Sequence, residues 1–297
     1  MYSNIRSNQI KTFVIMALFI VVVGALGFVV SLALDSPGLF IPVAVFALIY
    51  AIVGYFASAR IATMMTGAKP IEKRDAPGLY RTVENLTIAA GMPMPKIYII
   101  EDPAPNAFAA GRKPEDAIVG VTTGLLDMMD DSELEGVMAH ELSHIQNYDT
   151  RVMGIVLVLV TVVALISDMV LRIGLFGGFG GGNDRGNAIM VVLAIVAALI
   201  APIVATLLKL AVSRRRELLA DSSAALLTRY PDGLASALRK ISSYKQPMRR
   251  ANSSTSHLFI SNPLGQGKKA RTFANLFSTH PPVEQRLEQL EEAGRKL

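Results

Sequence analysis

Four long stretches without charge limit this chain more than any other feature. Thr12 to Leu34 runs 23 residues, and Ser36 to Ala59 runs 24, with no Asp, Glu, Lys or Arg. Val152 to Leu171 is interrupted only by Asp168, and Ala188 to Leu208 is uncharged throughout. A helix rises about 1.5 Å per residue and the bilayer hydrocarbon is roughly 30 Å thick, so each stretch is long enough to span. The composition agrees: 52% of residues are hydrophobic and 18% charged, with a mean hydropathy of +0.42. The first stretch follows Arg6 and Lys11 as a secretory signal would. It exceeds a signal's apolar region, and no clear small-x-small cleavage site follows it, so it reads as a retained anchor.

Orientation follows from lysine and arginine near the span ends. The linker between the first two spans has none, and the loop between the last two has only Arg172 and Arg185. Arg6, Lys11, Arg60, Lys69, Lys73, Arg74, Arg151, Lys209 and Arg214 to Arg216 all fall on the opposite side. Both termini and both hydrophilic portions are therefore expected in the cytoplasm of a multi-pass protein of the cell membrane. The expected divisions are 1–59 (spans 12–34 and 36–59), 60–151, 152–212 (spans 152–171 and 188–208) and 213–297. The net charge of +5 gathers beside the apolar stretches, which suits an anionic lipid surface and calls for no nucleic acid. Phe176 to Asn187 is rich in glycine but lacks a phosphate loop's G-K-[ST] ending, so no nucleotide is expected.

The portion 60–151 reads as mixed α/β. Leu79, Val83 and Leu86 share one helical face that stops at Gly91. KIYII at 96–100 and AIVGVTTGLL at 117–126 read as strands, and DPAPNAFAAG at 102–111 as a turn entering an edge strand. RRELLADSSAALLTRY at 215–230 and PPVEQRLEQLEEAG at 281–294 read as helices. SSYKQPMRRANSSTS at 242–256 reads as a mobile loop.

Two of the chain's four histidines, His140 and His144, stand four residues apart with Glu141 between them. Ser132 followed by Glu135 forms a capping-box pattern that starts a helix upstream. Four residues advance a helix by about 400°, which leaves the two imidazoles roughly 40° apart on one face, as two ligands of one ion require. The chain has no cysteine, so a metal must be held by imidazole and carboxylate. This is the H-E-x-x-H arrangement, in which the glutamate takes a proton from the attacking water. A catalytic zinc needs three protein ligands and one open position. In SRRRELLADSSA, Glu217 can be the third ligand. Asp221, one turn on, can accept the N–H of a ligating histidine.

HELSH at 140–144, with SRRRELLAD at 213–221, resembles the HtpX-type membrane zinc metalloproteases, which stand with the CAAX prenyl endopeptidases among the gluzincins. NAFAAG from Asn106, HLFISNPL from His257 and STHPPVEQRL from Ser278 extend the resemblance over nearly the whole chain. Leu218 departs from it, standing where many relatives carry tyrosine or phenylalanine, and is expected to face the core. The resemblance implies an α-helical membrane protein with four transmembrane helices and a cytoplasmic α+β zincin-like catalytic domain. It implies one Zn²⁺ per chain held by His140, His144 and Glu217, with Glu141 as general base and acid. Asp221 would hold a ligand histidine. Asn106 would lie in an edge strand to which substrate adds. His280 and Arg286 would hold the substrate or the developing oxyanion, while His257 is expected to be structural. Substrates would be polypeptides, misfolded or damaged membrane proteins among them. Processing of lipidated C-terminal tails, or a zinc-stabilised scaffold without hydrolysis, are the alternatives.

Overall fold

Where a helix carries apolar residues all round, packing must come from shape rather than from an amphipathic stripe. The computed structural model describes residues 2–33, 38, 40–161, 214–250, 254–265 and 281–295. Its first two helices, α1 (Tyr2–Ala33) and α2 (Phe40–Thr66), are both long and apolar enough to cross a membrane. Phe13, Val21, Ile41, Phe46 and Phe56 on these helices are all more than half exposed, an outer surface that suits hydrocarbon rather than water. A third helix, 149–161, begins three residues before the next apolar stretch and runs into it; it is labelled α6 below. Ile15 and Phe19 of α1, Ala47 and Ala51 of α2, and Val152, Ile155, Val156 and Leu159 of α6 form one buried cluster. Small residues bring α2 close to α6: a Cβ on Gly54 would lie 2.1 Å from Val158 Cγ1. The fourth expected span, the second half of the third and the glycine-rich stretch between them lie outside the described residues.

Between α2 and α6 stands a four-stranded sheet in the order β1-β2-β4-β3, formed by Lys69–Pro70, Lys96–Ile100, Ile118–Thr122 and Ala107–Ala110 as β1, β2, β4 and β3. The β2–β4 pair is parallel and the other two are antiparallel, which leaves β3 at one margin. Helix α3 (Pro77–Ala90) starts on a proline, buries Leu79, Val83 and Leu86, and ends at left-handed Gly91, as its periodicity predicts. The expected strand 117–126 is shorter. It stops at Thr122, whose hydroxyl accepts from the Leu125 N–H and starts the short helix α4 (Thr123–Met128).

Helix α5 (Asp131–Gln146) runs through the middle of the domain and is buried from Glu133 to Ile145 except at Glu135. Its capping box is Asp130 with Glu133, two residues before the expected Ser132–Glu135 pair. Met129 is still extended, so the first helical turn comes earlier and Asp130 takes the cap. Helices α7 (Arg214–Thr228), α8 (Pro231–Ser243) and α9 (Val283–Gly294) complete the domain, with α7 and α8 packed on α5 and α9 on α7 and α8. Glu133 ties the start of α5 to α8 through Lys240 Nζ and Ser236 Oγ, both at 2.6 Å. At the crossing, a Cβ on Gly136 would meet the Leu234 backbone nitrogen at 2.6 Å. The stretch read as a mobile loop is tied down where it is described. Met248 N–H donates to Pro263 O at 2.9 Å and Arg249 N–H to Asp102 Oδ2 at 2.7 Å.

Candidate metal centre

The start of the centre is local. Helix α5 puts His140 and His144 one turn apart, with Nε2 facing Nε2 at 3.2 Å. Helix α7 brings in Glu217, whose carboxylate oxygens lie 3.8 Å from His140 Nε2 and 3.5 Å from His144 Nε2. Ligand atoms from all three residues fall within 4.8 Å of one another, and all three side chains are buried. A tetrahedral divalent ion about 2.0–2.1 Å from two nitrogens holds them about 3.3 Å apart, close to the observed spacing.

Each imidazole is fixed from behind. His140 Nδ1 is 2.9 Å from Asp221 Oδ1, and His144 Nδ1 is 3.1 Å from Asp149 Oδ2. A carboxylate on Nδ1 makes that nitrogen the proton carrier and leaves the Nε2 lone pair for an ion. Asp149 is not among the residues picked out from the sequence. It stands five residues after His144, beyond a break at which Tyr148 adopts a left-handed φ of 59°. That turn folds the start of α6 back onto the end of α5. The available signal was an acid just past a helix that carries a ligand.

Protonation in the centre follows from burial and charge. Burial is the largest influence on His140 and lowers it to about 4, against the Asp221 hydrogen bond, which raises it. Burial also opposes charge on His144, but the Glu217 and Asp149 carboxylates outweigh it and raise this imidazole to about 9. Without an ion, the two facing nitrogens can therefore share one proton, carried by His144. Burial pushes the Glu141 carboxyl up to about 7, while an N–H from Ala109 of β3 holds it on one side. Glu141, Asp149, Glu217 and Asp221 surround the imidazoles and are countered by the guanidinium groups of Arg216 and Arg286. Fully ionised, these groups leave two negative charges, which a divalent cation balances. The donor set and its charge thus fit such an ion.

Of the remaining expected residues, Arg286 comes nearest to the ligand atoms, with Nη2 3.5 Å from His140 Nε2. Arg286 is 2% exposed and sits behind Asp221, with Nε at 2.8 Å from Oδ2 and Nη2 at 2.7 Å from Oδ1. The resemblance turns this guanidinium toward substrate; here its fork is spent on a buried carboxylate, where bidentate pairing is strongest. Asn106 is buried at the start of β3. Its Nδ2 donates to Ser261 O at 2.9 Å, and its Oδ1 accepts from the Ala107 and Ser261 N–H groups. It thereby clamps 254–265 along the sheet margin. β3 is the marginal strand as expected, but its outer side carries a bridge from Phe108 to Phe259, and Ile260 N–H donates to Ala107 O at 3.0 Å. His257 is buried with Nε2 3.1 Å from Met153 O, a structural contact. Leu218 is half-buried rather than in the core. His280 lies outside the described residues.

Comparison with known proteins agrees with this geometry. Residues 73–294 match the model of Peptidase family M48. Over 297 residues the chain is 49% identical to a protein named Protease HtpX homolog from Tropheryma whipplei (strain Twist), covering all of both chains. It is 44% identical over 301 residues to a Protease HtpX homolog from Dictyoglomus thermophilum, covering 99% of this chain and 95% of the relative. The crystal structure of Ste24p from S. mikatae shares the fold with a TM-score of 0.50 and 19% identity, over 98% of this chain and 66% of that one.

Proposed function

Because the chain belongs to Peptidase family M48 and is a metalloprotease of the HtpX type, we propose that it is an integral membrane zinc endopeptidase acting at the cytoplasmic membrane face. Its catalytic centre on this reading is His140, Glu141, His144 and Glu217. The observation that carries the proposal is the convergence of three buried ligand atoms, two of them on imidazoles backed by carboxylates, beside an unligated glutamate.

His140 Nε2, His144 Nε2 and the Glu217 carboxylate would hold the ion, and Asp221 and Asp149 would keep the imidazoles turned toward it. When bound, a divalent ion polarises the scissile carbonyl and acidifies water. Glu141 accepts the proton of the attacking water on its carboxylate and returns it to the nitrogen of the leaving amine. Burial pushes this carboxyl up and a bound cation would favour its ionised form, so the two together would bring its proton affinity toward the range useful for both halves of that transfer. The Ala109 N–H keeps one carboxylate oxygen in place while the other works. His280 is proposed to donate to the developing oxyanion. Arg286, paired with Asp221 and lying beside the His140 ring, is proposed as a positioning residue.

Substrates on this reading are extended polypeptides near the bilayer, damaged membrane proteins among them. An incoming strand that paired with β3 at Ala107 and Phe108 would have to displace Phe259 and Ile260 from its edge. The test is metal content and proteolysis on one detergent-purified sample, before and after chelation, beside Glu141→Ala. Zinc should be near one per chain in wild type and variant, and cleavage of an unfolded casein-like substrate should fall by about 10²–10⁴-fold in the variant. Undiminished cleavage by Glu141→Ala overturns the mechanism.

A further inference from the structure

The two ligand histidines are held by acids of different origin. Asp221 comes from α7, close to Glu217, and is held in turn by Arg286. Asp149 comes from the first turn of α6 and is held by a residue of the first apolar helix. Asn8 Nδ2 donates to Asp149 Oδ1 at 2.7 Å and to the Asn147 carbonyl at 3.0 Å. The other oxygen of the same carboxylate, Oδ2, is the one at His144 Nδ1. Both Asn8 and Asp149 are buried, at 3% and 1% exposure, so water does not supply these bonds in their place. Asn8 is itself seated by α1, where Thr12 Oγ1 donates to its carbonyl at 2.9 Å.

An amide buried on an apolar helix is costly unless paired. Here its two N–H bonds reach the carbonyl at the end of α5 and the carboxylate at the start of α6. They span the Tyr148 turn from outside and set the angle at which Asp149 meets the imidazole. We infer that Asp149, clamped by Asn8, is the positioning carboxylate of His144, so that the first apolar helix forms part of the support of the metal centre. Among the described residues, the support of His140 comes instead from Asp221 and Arg286, both on helices of the catalytic domain.

This inference rests on the proposed metal reading, and its test separates the two. The full chain in detergent is stripped and titrated with Co²⁺ against a competing chelator, and the visible absorption of the bound cobalt is recorded. Asp149→Asn, which keeps the volume, should weaken cobalt binding about 10–100-fold and shift the cobalt spectrum. Asn8→Leu, which removes the amide alone, should weaken binding less, about 3–10-fold, and shift the spectrum in the same sense. Asp149→Glu should recover part of the affinity. Wild-type affinity and an unchanged spectrum in Asp149→Asn overturn the inference, as does a loss in Asn8→Leu that only tracks lower thermal stability. A wild-type chain that binds no cobalt removes the metal reading and this inference together.

Discussion

The contacts inside the bundle of α1, α2 and α6 and the centre built by α5, α7 and α9 are both buried, yet they are held by opposite means. In the bundle, Ile15, Phe19, Val152, Ile155 and Leu159 meet alanines and a glycine, and the contacts are matched by shape. In the centre, two imidazoles and the carboxylates of Asp149, Glu217 and Asp221 meet two guanidiniums and one another at hydrogen-bond or ion-pair distance. An apolar contact can lose a methylene and relax. A buried charge that loses its partner has nowhere to go. The polar centre should therefore fail sharply at single partners, and the apolar bundle only by degrees.

Arg286→Leu presses that contrast hardest. It leaves the Asp221 carboxylate buried beside His140 without its bidentate partner, and should cost about 3–5 kcal/mol of stability. Chemical unfolding of the metal-free chain in detergent measures it, and a cost below about 1 kcal/mol would place this pair with surface ion pairs. Next comes pH. His144 is raised from 6.5 to about 9, so its contribution is fully present below pH 6.5 and is lost as pH rises through 9. The Glu141 carboxyl, raised from 4.5 to about 7, pulls the same way over its own window. The metal-free chain should accordingly lose thermal stability between pH 6.5 and 9. A bound divalent ion should flatten the dependence, because it supplies the charge that the His144 proton supplied. A metal-free chain equally stable across that range would contradict the charge balance of the centre.

The bundle gives the smaller responses. Gly54→Ala places a Cβ 2.1 Å from Val158 Cγ1, and overpacking there should cost about 1–3 kcal/mol. Ile155→Val should cost about 0.5–1.5 kcal/mol. Thermal unfolding in detergent checks both, and a larger loss for Ile155→Val than for Arg286→Leu would reverse the comparison.

What was legible in the sequence follows the range of each interaction. Helix α3 and its glycine stop were readable because Leu79, Val83, Leu86 and Gly91 lie within one short segment. The one-turn spacing of His140 and His144, and of Glu217 and Asp221, was readable for the same reason. Helix α8 was equally visible in its starting proline and in Leu234, Leu238 and Ile241, but that segment went unread. The capping box was displaced by two residues, since both Asp130–Glu133 and Ser132–Glu135 satisfy the pattern and only the backbone at Met129 decides between them.

The sequence by itself determined the two apolar helices, the paired imidazoles on one helical face and the acid that follows the first of them. Each depends on a period of a few residues or on local hydropathy. Tertiary structure alone decided that Arg286 backs Asp221, that Phe259 bridges the outer side of β3, and that Asn8 reaches Asp149 across 141 positions of chain. Such pairings depend on how the chain returns to itself. No local period records that return, because the free energy that selects it comes from burying these polar groups together rather than apart.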